Sequence, residues 1–424
     1  MKAEIKGNPN YAARIVRVET LTEFDNCDNV VGMPYAGMQA IVGKDTKVGD
    51  LGVLFVTESV LSDTYLMANN LYRHAEKNAN PEHTGYIEDS RRVKALKFRG
   101  HQSDCFFMPL DSLWPIVGKK RLELKEGETF DTLDGVEVCA KYERPVRYVR
   151  TPGQVVLEKR VEKKLFPVQE HVNHFLRELR YLDLSAPVVI TQKLHGTNLR
   201  VANTLTRRTL SWRDRLAHRF RVPVHMSEYA IVYGSHLVVK GVDNPSGYHF
   251  YGEDIWSHYG AELAAFVPQG YIVYAELVGY TPTGTPIQQR YTYEAKARSA
   301  DVYVYRVAHV NPQGIVCDLS WEAVKEFCRD RGIQHVPELW RGEVQEVPQF
   351  LETYLGSKFI EHFSNAVRCS EDSPCDEGVV VRLEAFHPTL LKAKAPEFVL
   401  HESKQIDAGV VDIEEEESRA DPGE

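Results

Sequence analysis

The sequence contains no run of eighteen or more apolar residues, so no segment reads as a membrane-spanning helix. Its first residues, MKAEIKGNPNYAAR, lack the apolar core of a secretory signal. Cysteine is sparse and unpatterned. Cys27, Cys105, Cys139, Cys317, Cys328, Cys369 and Cys375 are odd in number and never spaced as CxxC. That pattern speaks against a disulfide framework or a zinc site and leads us to expect reduced thiols and a cytoplasmic location. Positive charge is also short: Lys and Arg number 51 against 60 Asp and Glu, a net charge of −9. Most of that deficit lies at one end. From Asp407 onward eight acids face a single base, Arg419, so the tail carries −7 and the rest of the chain is close to neutral. The tail 407–424, with Glu414 to Glu417 in a row, reads as disordered, and local basic surface elsewhere remains compatible with a polyanionic partner.

With 424 residues, the chain is long enough for two or three domains. Residues 1–150 are rich in short β-like runs separated by turn signals, among them ARIVRVETL, MQAIVG, LGVLFV and CFFMPL. Such spacing predicts a small barrel or sandwich, with Gly49–Asp50 turning into a buried strand from Leu51 to Phe55. In PVQEHVNHFLRELRYL, Val168, Val172, Phe175, Leu176 and Leu179 form one apolar stripe at helical spacing, so a bridging helix starting at Pro167 is expected within a linker 151–185. From residue 186 to 406 strands and helices mix. APVVITQK, YAIVYG, GYIVYAELVG, DVYVYRVAHV and DEGVVVRLE read as strands, and WEAVKEFCRDR as a helix closed by Gly332.

The chemistry concentrates in Thr191-Gln192-Lys193-Leu194-His195-Gly196-Thr197-Asn198, where a lysine at the end of an apolar strand is followed by a glycine turn. Taken alone this is a surface lysine beside a turn. Further segments change that reading. KLHGTN resembles motif I of the covalent nucleotidyltransferases, in the KxHGTN form of one branch of RNA ligases. Tyr271–Gly279 with Glu276, Asp301–Arg306 with Tyr303 and Tyr305, Asp376–Arg382 with Glu377, and Leu391–Phe398 with Lys392 and Lys394 resemble motifs III, IIIa, IV and V, in the expected order. The chain is similar over nearly its whole length to the Deinococcus/Naegleria type of RNA ligase. That resemblance implies an α+β architecture: an N-terminal OB-like β-barrel domain over 1–150, then a nucleotidyltransferase domain built on antiparallel sheets with flanking helices over 186–406.

The resemblance also implies roles. Lys193 would attack ATP and carry AMP as a phosphoramidate, pass it to a 5′-phosphate RNA end, and leave the RNA 3′-OH to displace AMP and close the strand. A free lysine titrates near 10.4, so its amine must be made neutral; the expectation is that Lys392 and Lys394, with Mg2+ or Mn2+, lower the pKa of Lys193. Lys392 and Lys394 alternate with alanine and so share one strand face. Glu377 is expected to hold the metal, His195 to position phosphate or a metal-bound water, and Gln192, Gly196, Thr197, Asn198 and Glu276 to contact the nucleotide. Tyr305, or failing that Tyr303, would stack on adenine.

Outside the motifs, Arg200, Arg207, Arg208, Arg213, Arg215, Arg219 and Arg221 lie within one short stretch opposed only by Asp214, with Trp212 and Phe220 interleaved. This composition suits an RNA backbone with base stacking, and equally a solvated amphipathic helix. Lys97 and Arg99 belong to a second basic strand, the expected RNA track of the first domain. The rival readings are an mRNA-capping guanylyltransferase, a DNA ligase, and an RNA-binding protein with an inactive transferase domain. His195 in place of the wider superfamily's aspartate, and a β domain that precedes the transferase, favour the RNA ligase. No membrane partner is expected; the working expectation for the chain is a monomer.

Overall fold

A computed structural model describes residues 2–118, 123–143, 159–241, 250–385 and 387–410. The acidic stretch 411–424 and part of the expected linker therefore lie outside the described residues. The chain divides into two compact units, one made of Met1–Arg144 with Pro396–Val410, the other of Pro145–Ala395 with Val411–Glu424.

The first unit is built from small antiparallel sheets. Its centre is a four-stranded sheet in the order Cys105–Pro109, Leu51–Val56, Ala13–Arg17, Thr129–Phe130. Gly49 takes φ +98° at the turn into Leu51–Val56, as the Gly-Asp pair predicts. No closed barrel forms among the described residues; the strands are shared between five small sheets. The runs LGVLFV and CFFMP are apolar at consecutive positions, so each strand must bury both faces. Ile15, Val53, Phe55 and Phe106 join one core, while Val16, Leu54, Cys105 and Phe107 join another on the opposite face. A sheet covered on both sides takes the place of the barrel expected from strand spacing.

The helix Pro396–Asp407 falls in this first unit, not with the strands that precede it. Ion pairs and hydrogen bonds explain why. Buried Arg92 pairs with Glu58 at 2.7 Å and with Asp407, and Ser403 Oγ donates to Glu58 at 3.0 Å and accepts from the Ala95 N–H at 3.1 Å. Asp407, counted with the tail on charge alone, is thus the last residue of an anchored helix.

The second unit contains two sheets. A five-stranded sheet runs Asn173–His174, Thr389–Lys394, Gly378–Leu383, Pro187–Lys193, Glu338–Glu343. Val188, Ile190, Val379, Val381, Leu391 and Ala393 point to one face and pack on Val347, Phe350 and Leu351 of the helix Val347–Tyr354. The intervening residues, including Lys193, Lys392 and Lys394, are left to the other face. The second sheet runs Val239–Lys240, Ser227–Gly234, Thr197–Arg207, Tyr271–Gly279, Ala300–Val310, Val316–Asp318, with Gln334–His335 pairing beside Ala300–Val310. The helix Ile255–Ala264 packs against this sheet, and Trp256 donates its indole N–H to the Asn198 carbonyl at 3.1 Å. The helix Trp321–Arg331 forms as expected, capped by Ser320 and closed by Gly332 at φ +66°.

The bridging helix expected from Pro167 does not form. Residues Asn173–His174 pair in parallel with Leu391–Lys392, and helix is confined to Phe175–Glu178 followed by one 3-10 turn, Leu179–Tyr181. Here tertiary hydrogen bonds override helical periodicity. Arg200 donates to the carbonyls of Phe166 and Pro167, Tyr274 Oη donates to the Pro167 carbonyl, and Arg306 donates to Gln169. The segment is held extended over the sheet instead.

Candidate active site

Three neighbouring strands place the cations. Lys193 lies opposite Gly378, which in turn lies opposite Lys394. One row further along, Thr191, Val380, Lys392 and His174 align. All of these share the face turned away from the Val347–Tyr354 helix. Gly378 is required at the centre: its φ is +148°, and a Cβ there would lie 2.1 Å from the Ala393 carbonyl oxygen. The preceding residue, Glu377, is buried between the lysines. Its Oε1 accepts from Lys193 Nζ at 2.8 Å and lies 3.4 Å from Lys394 Nζ, while His195 Nδ1 is 3.9 Å from its Oε2.

These contacts set the titration. Burial raises Glu377, but the Lys193, Lys394 and His195 charges outweigh it and hold the carboxyl at about 2. Burial lowers Lys193, yet Glu377 and Glu276 overcome both that effect and the Lys394 charge, so its pKa is raised above 10.5. This reverses the expectation that cations would lower Lys193. The depressed amine is Lys392, which burial and then Lys394, Lys193 and Arg177 push down to about 7. Carboxylate contact at 2.8 Å decides the first case; the lack of so close a carboxylate decides the second.

The turn after Lys193 is braced by side chains from the second sheet. The Gly196 N–H donates to Glu276 Oε1 at 2.9 Å, and a Cβ on Gly196 would meet the Leu277 carbonyl oxygen at 2.3 Å. Asn198 stands opposite Glu276, which stands opposite Tyr303, forming a polar row across three strands. Asn198 Nδ2 donates to Tyr305 Oη, while its buried Oδ1 has no hydrogen-bond partner. Tyr305 reaches the same side at an irregularity in the pairing of Tyr271–Gly279 with Ala300–Val310.

Two expected nucleotide contacts face elsewhere. Gln192 alternates onto the opposite side of the strand from Lys193, where its amide donates to the Val367 carbonyl and Asp376 and accepts from the Val367 N–H, each at 2.8 Å. It is a structural brace, not part of the cleft. Thr197 lies opposite Leu277 and, by alternation, on the other face from Asn198.

The 280–299 segment carries none of the sequence motifs, yet it clasps the site. The His195 N–H donates to Tyr293 Oη at 2.7 Å, Gln288 Nε2 donates to the Gly196 carbonyl at 2.9 Å, and the Tyr291 ring meets His195 edge-on at 5.1 Å. Tyr291 Oη also donates to the Cys375 carbonyl at 2.9 Å, tying the same segment to the approach to Glu377. Arg290, Tyr293, Glu294 and Arg298 all have positive φ. The available signal was the length of this turn-rich connection, together with the aromatic pair inside it.

Among the described residues no group of three or more His, Cys, Asp or Glu side chains could hold a metal unaided. Glu377 Oε2 is nonetheless buried without a hydrogen-bond partner. One acidic oxygen completed by phosphate and water oxygens fits a magnesium-like ion better than a closed protein cage.

The expected RNA contacts lie on other elements. Arg207, Arg213 and Arg215 are exposed and Arg208 half-buried on or beside the helix Trp212–Arg219; Lys97 and Arg99 are exposed on a hairpin of the first unit, Leu96–Phe98 with His101–Ser103. Arg200, grouped with the arginine stretch by sequence, is instead buried under Phe166.

The RNA ligase family model matches residues 186–394. The fold is similar to the RNA ligase of Naegleria gruberi solved with PPi, with TM-score 0.59 at 14% identity over 93% of this chain and 99% of that one. It is also similar to a lysine-to-methionine mutant of that ligase solved with AMP and Mn (TM-score 0.58, 14% identity, 91% of this chain and 97% of that one). A lysine-to-alanine mutant solved with ATP and Mn gives TM-score 0.57 at 14% identity over 95% of this chain and 99% of that one. No curated protein matches the sequence.

Proposed function

We propose that the chain, whose residues 186–394 match the RNA ligase family model, is an ATP-dependent RNA ligase that works through a lysyl-AMP on Lys193. The observation that carries this reading is the meeting of Lys193, Lys394 and His195 around the buried Glu377 carboxylate. A primary amine held beside a second ammonium group suits nucleophilic attack on a polyphosphate. Lys193 Nζ forms the P–N bond to the α-phosphorus of ATP, and the P–O bond to pyrophosphate breaks. Before attack Lys193 must leave Glu377 and lose a proton, since their contact holds its pKa up.

Glu377, through Oε2, is the residue that would hold a divalent ion. When bound, that ion supplies positive charge against the developing charge on the phosphates. Lys392 and Lys394 contact the transferring phosphate from the strand beyond Gly378–Leu383. Glu276 and Asn198 bind the ribose side of the nucleotide, and the Tyr305 or Tyr303 ring stacks on adenine. His195 orients the phosphate opposite Glu377. AMP passes to the 5′-phosphate of an RNA end, and the 3′-OH of the adjoining strand displaces it. We assign this activity to nick sealing in RNA repair by a cytoplasmic monomer. Arg207, Arg208, Arg213 and Arg215 serve as RNA contacts, together with Lys97 and Arg99 on a first unit whose role is OB-like.

The test is incubation of purified, AMP-free protein with α-labelled ATP or GTP and Mg2+ or Mn2+, followed by a denaturing gel. Label from ATP that disappears in Lys193→Ala is expected. Label from GTP alone would replace this reading with a capping guanylyltransferase.

A further inference from the structure

One basic surface has a geometry that the joining chemistry does not use. The strand Thr197–Arg207 is paired on one side with Tyr271–Gly279 only from Thr197 to Asn203. On its other side it pairs with Ser227–Gly234 all the way to Arg207 opposite Ser227. Beyond Asn203 the sheet therefore narrows to a two-stranded arm, and the helix Trp212–Arg219 is its tip.

This helix buries none of its residues. Trp212 and Phe220 are 70% and 71% exposed, and Leu216 lies between them at helical spacing. At 3.6 residues per turn, Arg215 and Arg219 form the row beside this apolar one. Asp214 is committed to Arg208 at 2.9 Å and to capping through Ser211. Arg207, Arg213, Arg215, Arg219 and Arg221 have no carboxylate partner among the described residues. Flat rings left in water beside uncompensated guanidinium groups match an RNA strand, with phosphates for the arginines and base faces for the rings.

The arm also has a length. Asn198 sits in the catalytic row, and nine residues of extended strand separate it from Arg207, about 30 Å at roughly 3.3 Å per residue. Measured along a nucleic-acid strand this is on the order of ten nucleotides. Resting on the ligase reading, we propose that the Trp212–Phe220 tip is a second RNA-contact site that grips the substrate about ten nucleotides from the joint, so that the arm measures flanking strand length.

The full chain should be compared with Trp212→Ser/Phe220→Ser and with Arg215→Ala/Arg219→Ala. The substrates are nicked RNA duplexes whose flanking strands are shortened stepwise, from about 20 to about 5 nucleotides on either side. Wild-type sealing at limiting RNA is expected to rise on the order of tenfold once one flank passes about ten nucleotides. In the ring variant this step should vanish, bringing long substrates to the short-substrate level. In the arginine variant the slope of log affinity against log salt should fall by roughly 1.5. An identical length step in wild type and variants, or none in wild type, overturns the proposal. So does RNA behaviour unchanged by substitutions that abolish binding to vesicles rich in anionic lipid, which would make the tip a membrane contact. Lysyl-AMP formation is measured first. If wild type forms none, the ligase reading fails, and the length step is then read from binding of labelled RNA instead of sealing.

Discussion

Replacing Lys392 with methionine should separate stability from function. Lys392 is half-buried, and burial together with Lys394, Lys193 and Arg177 moves its pKa from 10.5 down to about 7. Taken in full such a shift corresponds to about 5 kcal/mol at roughly 1.36 kcal/mol per unit. Solvent reaches part of the side chain, so we reduce it to about 1–3 kcal/mol. The folded pKa lies below the unfolded one, so between pH 7 and 10.5 the unfolded chain holds the extra proton and stability rises with pH. Below pH 7 the folded protein bears the whole cost of the charge. Methionine keeps the length of the side chain and removes that cost. Lys392→Met should therefore melt a few degrees above wild type at pH 6, with the difference shrinking steadily toward pH 10.5. Lysyl-AMP formation should fall sharply at every pH, because the phosphate loses a cation. Thermal unfolding of both proteins across this pH range, with labelled-ATP gels alongside, checks both halves. A variant less stable at pH 6, or an advantage that grows with pH, would refute the account of Lys392 as a strained cation.

Four further outcomes follow from contacts described above. Tyr293→Phe removes the acceptor of the half-buried His195 N–H, a loss worth about 1–3 kcal/mol. It should slow lysyl-AMP formation ten- to a hundredfold in single-turnover assays, by order of magnitude, while joining of a pre-adenylylated strand suffers less. Arg200→Lys should destabilise by about 2–4 kcal/mol in urea unfolding, since one ammonium cannot replace a guanidinium that reaches the carbonyls of Ser235, Phe166 and Pro167. Truncation after Val410 should preserve melting temperature and lysyl-AMP formation. Truncation after Ala395 should lower solubility, because it uncovers the buried Arg92–Glu58 pair.

The strands bearing the candidate site residues are legible because each carries a local signal. Lys193 and Lys394 end their runs, Glu276 interrupts an apolar one and Glu377 immediately precedes another, and each run forms a strand. The helix Trp321–Arg331 was legible through its stripe and its closing glycine. Where interpretation failed, long-range partners decided the outcome. The Val168–Leu179 stripe has helical spacing, but carbonyls at Phe166 and Pro167 are captured by Arg200 and Tyr274. Gln192 neighbours Lys193 in sequence, yet strand alternation turns it to Val367 and Asp376. Nearby cations predict a lowered Lys193, whereas in the fold Glu377 touches it more closely than Lys394 does. The Tyr291–Tyr293 clasp has no motif at all, since its role rests on two hydrogen bonds to distant backbone.

The return of Pro396–Asp407 to the first unit makes the second unit's Pro145–Ala395 an insertion within another unit's chain. This has a consequence for synthesis. A ribosome that has delivered Met1–Arg144 must make all of Pro145–Ala395 before the closing helix emerges, an interval on the order of 10–50 s at about 5–20 residues per second. Throughout that interval Arg92 and Glu58 lack Ser403 and Asp407. The strand Thr389–Lys394 emerges immediately before the helix that closes the first unit. The two units thus gain their last elements one after the other, and a chain stopped before Thr389 lacks both that helix and the Lys392–Lys394 pair.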